Sequence, residues 1–128
     1  MSDFSKSLGI SASGLQAQAA RLRHVSENIA NADTPGYHRK TVRFEPGPDP
    51  DDGTIRAGKV TLDRTELEPI YDPAHPLADE TGHYQGSNVD LIIEIADARE
   101  AQRSYEANLK MFEQARQMSS GLLDLLRR

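Results

Sequence analysis

The sequence predicts a mainly α fold: long N- and C-terminal helices forming an antiparallel coiled-coil-like pair, with a small β-hairpin and loop element between them. Three observations predict it. All seven prolines lie between Pro35 and Pro76, so helix interiors are broken in the middle and unbroken at both ends. Apolar residues recur every seven positions in both flanks, the period of a helix seam. The stretch between is poor in apolar residues and rich in turn formers, with short alternating runs. The chain therefore divides into an N-terminal helix (1–33), a turn, loop and small β element (34–87), and a C-terminal helix (88–128).

The front helix is expected from about Asp3 to Ala32. Leu8, Leu15, Leu22 and Ile29 occupy one heptad position, with Phe4, Ser11, Gln18, Val25 and Ala32 at the other. Ser2 or Asp3 suits its cap. Gly9 and Gly14 each weaken a helix interior by roughly 1 kcal/mol, so this helix firms up only when packed. Its stop is Asn31-Ala32-Asp33-Thr34-Pro35-Gly36-Tyr37, where Pro-Gly suits the centre of a type II turn. Asn28 and Asn31 can bond the freed backbone there.

In the middle, Thr41-Val42-Arg43-Phe44 reads as a short strand. Val60-Thr61-Leu62 alternates too, and is expected to pair with Thr54-Ile55-Arg56 or with Glu68-Pro69-Ile70-Tyr71. Residues 46–53 read as an acidic loop.

The back helix is expected from about Asn88 to Leu126, capped by Asn88 or Ser87. Leu91, Ala98, Tyr105, Phe112 and Leu126 keep one seven-residue phase; Ala101, Ala115 and Leu122 keep the other, and Ile95 and Leu109 widen the stripe. Glu94, Asp97, Arg99, Glu100, Arg103, Glu106, Lys110, Glu113 and Arg116 make the opposite, charged face. Glu106 and Lys110 form a favourable i,i+4 pair, and Arg127 and Arg128 suit the negative end of the dipole. The helix-packing residues expected from both stripes are Leu8, Leu15, Leu22, Val25, Ile29, Leu91, Ile95, Ala98, Tyr105, Leu109, Phe112, Leu122 and Leu126.

Composition removes several function classes. A net charge of −5 argues against nucleic acid, whose phosphates need a basic surplus. No run of about 18 apolar residues exists to span a membrane, and the start Met1-Ser2-Asp3-Phe4 lacks the features of a cleaved secretory signal. Without cysteine there is neither disulfide nor thiolate chemistry. His24, His38, His75 and His83 lack metal-ligand spacing, and Asp49, Asp51 and Asp52 are interrupted by Pro50 and lack the bidentate glutamate of a calcium loop. No serine has a base and an oxyanion site in view. The sequence therefore assigns no catalytic, metal or cofactor residues and reads as a structural assembly protein, not an enzyme. Lys6, Arg21 and Arg23 make the front helix locally basic and suit the acidic face of a neighbouring subunit.

Two stretches carry a family resemblance. Ser26-Glu27-Asn28-Ile29-Ala30-Asn31-Ala32-Asp33-Thr34-Pro35-Gly36-Tyr37 resembles the N-terminal signature of bacterial flagellar axial proteins, the rod and hook subunits, in which Asn28, Ile29, Asn31, Thr34, Pro35, Gly36 and Tyr37 are the motif positions. Tyr71-Asp72-Pro73-Ala74-His75-Pro76-Leu77-Ala78-Asp79, with Asn88-Val89-Asp90 and Arg103-Ser104-Tyr105-Glu106-Ala107-Asn108, resembles the proximal-rod branch of that family. The resemblance implies a structural subunit of the basal-body rod in the periplasm. It implies export through the flagellar type III apparatus without a cleaved signal, and assembly with its own copies and with other rod proteins (FlgB, FlgF, FlgG and a FliE-like subunit). Phe4 and Leu8 fit the short aromatic-to-apolar signal read by the export gate, and equally fit packing alone. The competing readings are a sibling rod protein such as FlgB, a cytosolic coiled-coil adaptor or export chaperone, and a hydrolase that would depend on His38 or His75.

Overall fold

The computed structural model describes residues 2–127. Two long helices, α1 (Ser2–Ala30) and α2 (Leu91–Leu126), flank six short strands: β1 (Lys40–Thr41), β2 (Phe44–Pro46), β3 (Ile55–Ala57), β4 (Thr61–Leu62), β5 (Pro69–Tyr71) and β6 (His83–Gln85). The helices pack side by side and run in opposite directions: Gly14 lies against Asn108, Arg21 reaches Asp97, and Asn28 bonds Glu94.

α1 begins with Asp3 in its first turn, near the positive end of the dipole. The side chain of Ser2, the other candidate cap, lies outside the described residues, as does Arg128. The cap of α2 departs from expectation. It is Asp90, whose Oδ1 accepts from Ile92 N at 3.0 Å, and the helix opens at Leu91. Ser87 and Asn88 are instead committed to long-range bonds, described below. The expected Glu106–Lys110 pair is not among the ion pairs of the described residues.

Neither pairing expected for Val60-Thr61-Leu62 forms. β4 pairs antiparallel with β1 (Lys40 opposite Leu62), while β3 pairs with β2 (Phe44 opposite Ala57, Pro46 opposite Ile55). The run Thr41–Phe44 is therefore divided between two strands. Two residues separate Thr41 from Phe44 but three separate Ala57 from Thr61. The extra residue is a bulge that bends one long hairpin into two ladders, and Gly58 N bridges it to Arg43 O at 2.7 Å. The hairpin folds back along α1: Ile55 N donates to Ser13 Oγ at 3.1 Å, and Gly53, with φ +77°, sits under the Ile10 side chain. A second hairpin pairs Pro69 with Gln85 and Tyr71 with His83. Its loop is closed by the Asp79 carboxylate, which accepts from Thr81 N and His83 N, and by His75 stacked on Tyr84 at 3.9 Å.

The turn after α1 is as expected. Tyr37 N donates to Thr34 O, and Gly36 adopts φ +77°, the arrangement of a type II turn. Gly36 N also donates to Gly86 O at 2.9 Å, which fastens the turn to the end of the second hairpin.

The helix contact is narrow and made of small or polar residues. Ser11, Gly14, Ala17, Gln18, Val25 and Asn28 are buried on α1, and Glu94, Ala101 and Ala115 on α2. Gly14 shows why small residues are needed: a Cβ there would lie 2.8 Å from Asn108 Oδ1.

Candidate assembly interface

The most buried polar side chains gather where α1, α2 and the middle element meet. Asn28, fully buried, makes four hydrogen bonds. Its Oδ1 accepts from Lys40 N and from the Tyr37 hydroxyl, both at 2.8 Å, and its Nδ2 donates to Lys40 O at 2.9 Å and to Glu94 Oε2 at 3.3 Å. A side-chain amide can do no more. It acts as a piece of strand for Lys40, fixing the start of the first hairpin to the end of α1.

Glu94 was expected on the charged outer face of the back helix. It is instead fully buried. The reason is a counter-charge from the far side of the turn: Arg39 Nε donates to Glu94 Oε1 at 2.6 Å. Arg39 also approaches Asp63 Oδ2 at 3.4 Å and Asp97 Oδ2 at 3.7 Å. Burial by itself lowers the pKa of the guanidinium, but its bond to Glu94 and the charges of Glu94 and Asp63 outweigh that and hold it above the ordinary value. Asn88, the expected cap, accepts from Arg39 N at 2.6 Å and donates to Asp63 O and Thr65 O. Ser87 Oγ donates to Ala32 O. Around the rim, Lys40 Nζ meets Glu27 Oε2 at 2.6 Å; this bond lowers the Glu27 pKa and raises that of Lys40. Burial pushes the Tyr37 phenol up.

The family-motif residues thus divide by task. Asn28 and Tyr37 lie in this clasp. Asn31 Nδ2 bonds Glu27 O at 2.8 Å and its Oδ1 accepts from Thr34 Oγ1, which closes the helix end. Pro35 and Gly36 make the turn. Ile29 faces away, 37% exposed. Arg39, Glu94, Asp63 and Asn88 were not singled out by sequence reasoning for this role.

The expected packing residues differ widely in burial. Leu8, Leu15 and Leu22 are half-buried, as are Ala98, Tyr105 and Phe112; among the thirteen, Val25 is the one buried. Leu91, Ile95, Leu109, Leu122 and Leu126 are exposed. Phe4 and Leu8 are half-buried on neighbouring turns of α1. The basic residues of α1 also find partners in the same chain: Arg21 bonds Asp97 at 3.4 Å and Glu100 at 3.5 Å, and Lys6 helps to hold the Asp52 carboxyl below its ordinary pKa, behind the larger effect of its bonds from Thr54. The histidines are spread: His38 contacts Asp63 O, His75 stacks on Tyr84, His83 lies by Tyr71. Among the described residues no three His, Asp or Glu side chains gather as metal ligands, and no helix is long and apolar enough to cross a membrane.

Comparison with known proteins gives this arrangement a context. Residues 8–38 match the family described as flagella basal body rod protein, and residues 80–125 match the C-terminal part of flagellar basal body rod FlgEFG proteins. The flagellar basal-body rod protein FlgC of Agrobacterium fabrum is 44% identical, over 99% of this chain and 98% of that protein. Those of Aquifex aeolicus (36% identical, 88% of this chain, 89% of that protein) and Salmonella typhimurium (32%, 91% and 92%) are similar along the same span. The two family matches cover the helices with their clasp residues Asn28, Tyr37 and Glu94, and the full-length likeness carries the middle element between them: the chain belongs to the FlgC family of flagellar basal-body rod proteins.

Proposed function

We propose that this chain is a structural subunit of the flagellar basal-body rod that polymerises through the outer apolar surface of its helix pair. The observation that carries the reading is an inversion. The residues buried within one chain are mostly small or polar, while six of the thirteen expected packing residues, Ile29, Leu91, Ile95, Leu109, Leu122 and Leu126, stand exposed. Apolar area contributes about 25 cal/mol per Å² when removed from water, and a surface of this kind marks an association site. Copies of the coiled-coil-like pair, the segments 1–33 and 88–128, then line the rod wall, with residues 34–87 on its outside.

On this reading the chain resides in the periplasmic rod, delivered unfolded by the flagellar type III apparatus without a cleaved signal, with Phe4 and Leu8 as the export-gate contact. Its neighbours are its own copies and the FlgB, FlgF, FlgG and FliE-like subunits. Fractionation tests the reading: the chain is expected in basal-body preparations, and a purely cytosolic pool would support an adaptor or export chaperone instead. Hydrogen exchange of the dilute monomer supplies a second test. Exposed stripes leave the helix ends weakly held, so residues 4–30 exchange quickly in the monomer and slowly in the rod; strong protection in a verified monomer counts against polymerisation-coupled ordering.

A further inference from the structure

Charge is unevenly spread along the middle element. From Thr65 to Ala98 the chain has eight carboxylates and no lysine or arginine. Glu94 and Asp97 meet Arg39 and Arg21, but Asp72, Asp79 and Glu80 form no ion pair among the described residues. These three sit exposed in the loop of the second hairpin. That hairpin is tied to the body at its base, where Gly36 N donates to Gly86 O, and neither of its strands packs along a helix. Its loop is fixed from within: Asp79 closes it, Gly82 (φ +83°) lies under the Tyr71 ring, and His75 stacks on Tyr84. The result is a stiff acidic arm.

The first hairpin carries the opposite charge on the face turned away from α1. Val42 and Phe44 line a depression with Val25 and His24 of α1, so Arg43, between them, points outward. Thr41 is opposite Thr61 and Phe44 opposite Ala57, which leaves Val42 and Arg43 facing Gly58, Lys59 and Val60. In a bulge two residues oppose one, and the 2.7 Å bond from Gly58 N to Arg43 O marks Gly58 and Lys59 as the two opposite Arg43. Lys59 therefore shares the outward side of Arg43. Like charges directly across a ladder destabilise it, and neither cation forms an ion pair among the described residues. Arg56 stands on the same face, with Glu45 at 3.5 Å. This basic strip lacks a counter-charge from its own chain.

We propose, resting on the rod-subunit reading, that the acidic arm of one copy docks on the strip of Arg43, Lys59 and Arg56 in a second copy. Exposed ion pairs add little affinity; their effect is on register and on the rejection of wrong placements. The apolar sides of the helix pairs hold neighbours together, and the arm sets how each copy is turned against the next. Arm and strip are different surfaces, so every docked copy leaves one of each free, and the contact repeats along an open polymer.

A charge exchange tests the docking in motile cells lacking the native copy. Asp72→Lys/Glu80→Lys reverses the arm, and Arg43→Glu/Lys59→Glu reverses the strip. Each pair alone is expected to lower incorporation into basal bodies about tenfold. A chain with all four changes matches reversed arms to reversed strips and recovers most of that loss. Unchanged incorporation of either pair overturns the proposal. So does a four-fold variant no better than the pairs, the result expected if arm and strip face other proteins. The chain has no cysteine, so cross-linking gives a second measurement. Lys59→Cys and Glu80→Cys chains, produced together, yield a covalent dimer when isolated basal bodies are oxidised, and neither yields one alone. Basal bodies that contain both variants without a dimer overturn the docking and leave the rod reading standing; absence of the native chain from basal bodies overturns both.

Discussion

At the scale of single residues, the clasp rests on one buried carboxylate and the guanidinium that neutralises it. Glu94 is fully enclosed, and the shortest of its bonds is that from Arg39 at 2.6 Å. Removing one member of such a pair leaves an uncompensated charge and typically costs 3–5 kcal/mol, whereas replacing both with apolar residues is often near neutral. Arg39→Met is therefore expected to lower unfolding free energy by about 3 kcal/mol, toward the lower end because the Arg39 side chain keeps 20% exposure. The Arg39→Met/Glu94→Leu double variant should recover most of that loss, as read by urea denaturation of all three chains. A double variant no more stable than Arg39→Met would mean that the Arg39 side chain acts through Asp63 and Asp97 and not through Glu94. This pairing was not legible in the sequence. Arg39 and Glu94 are 55 positions apart, and although Glu94 lies one heptad before Ala101, its charge groups it with the residues of the outer face. What marked the region was the Asn28–Tyr37 motif, whose amide and hydroxyl turn out to be bonded to one another.

At the scale of elements, the seven-residue repeat located both helices, and one of its two phases, that of Ser11, Gln18 and Val25 on α1 and of Ala101 and Ala115 on α2, holds residues buried in the structure. Large apolar residues dominate a periodic pattern, yet the side chains between α1 and α2 are those small enough to let the backbones approach. The glycines separate the two effects. Gly9 has nothing within 4 Å of an added Cβ, whereas at Gly14 that atom would meet Asn108 at 2.8 Å, and Asn108 is itself tied to Ser104 O at 3.0 Å. Gly9→Ala should stabilise the chain by about 0.5–1 kcal/mol through helix propensity alone. Gly14→Val should destabilise it by about 2 kcal/mol through overpacking. Thermal denaturation followed by circular dichroism compares them; a Gly14→Val chain as stable as the parent would show that the helices do not approach closely there. Parts of β1 to β5 were legible as short alternating runs, whereas β6 (His83–Gln85) and the strand partners were not. Pairing depends on the single extra residue between Ala57 and Thr61, which no local pattern distinguishes from loop.

At the scale of the whole molecule, small apolar burial leaves polar contacts to decide how stability responds to solution conditions, and pH is the direct probe. Asp63 has its pKa lowered chiefly by its bonds from Thr65, with Arg39 adding to them, and Glu27 chiefly by its bond from Lys40. Asp52 and Asp79 are lowered by hydrogen bonds within their turns. A carboxyl that binds its proton less tightly when folded contributes stability that is complete above its unfolded pKa and is lost as pH falls through the folded value. These four groups thus act together below about pH 4. On the alkaline side the sign reverses. Lys40 and Tyr37 have raised pKa values when folded, through Glu27 and through burial respectively, so their contributions are complete below about pH 10 and are lost as pH climbs through the folded values. Tm should therefore be flat from about pH 5 to 9 and fall on both sides. Because Asp63, Glu27, Tyr37 and Lys40 all border the clasp, the junction of helices and middle element should loosen in both limbs. Lys40→Met isolates one contact: it should reduce the alkaline limb and shrink the Glu27 part of the acid limb, leaving the Asp52 and Asp79 part unchanged. An alkaline limb unaltered by Lys40→Met would place the titration elsewhere and remove the Glu27–Lys40 bond from the forces that hold the junction closed.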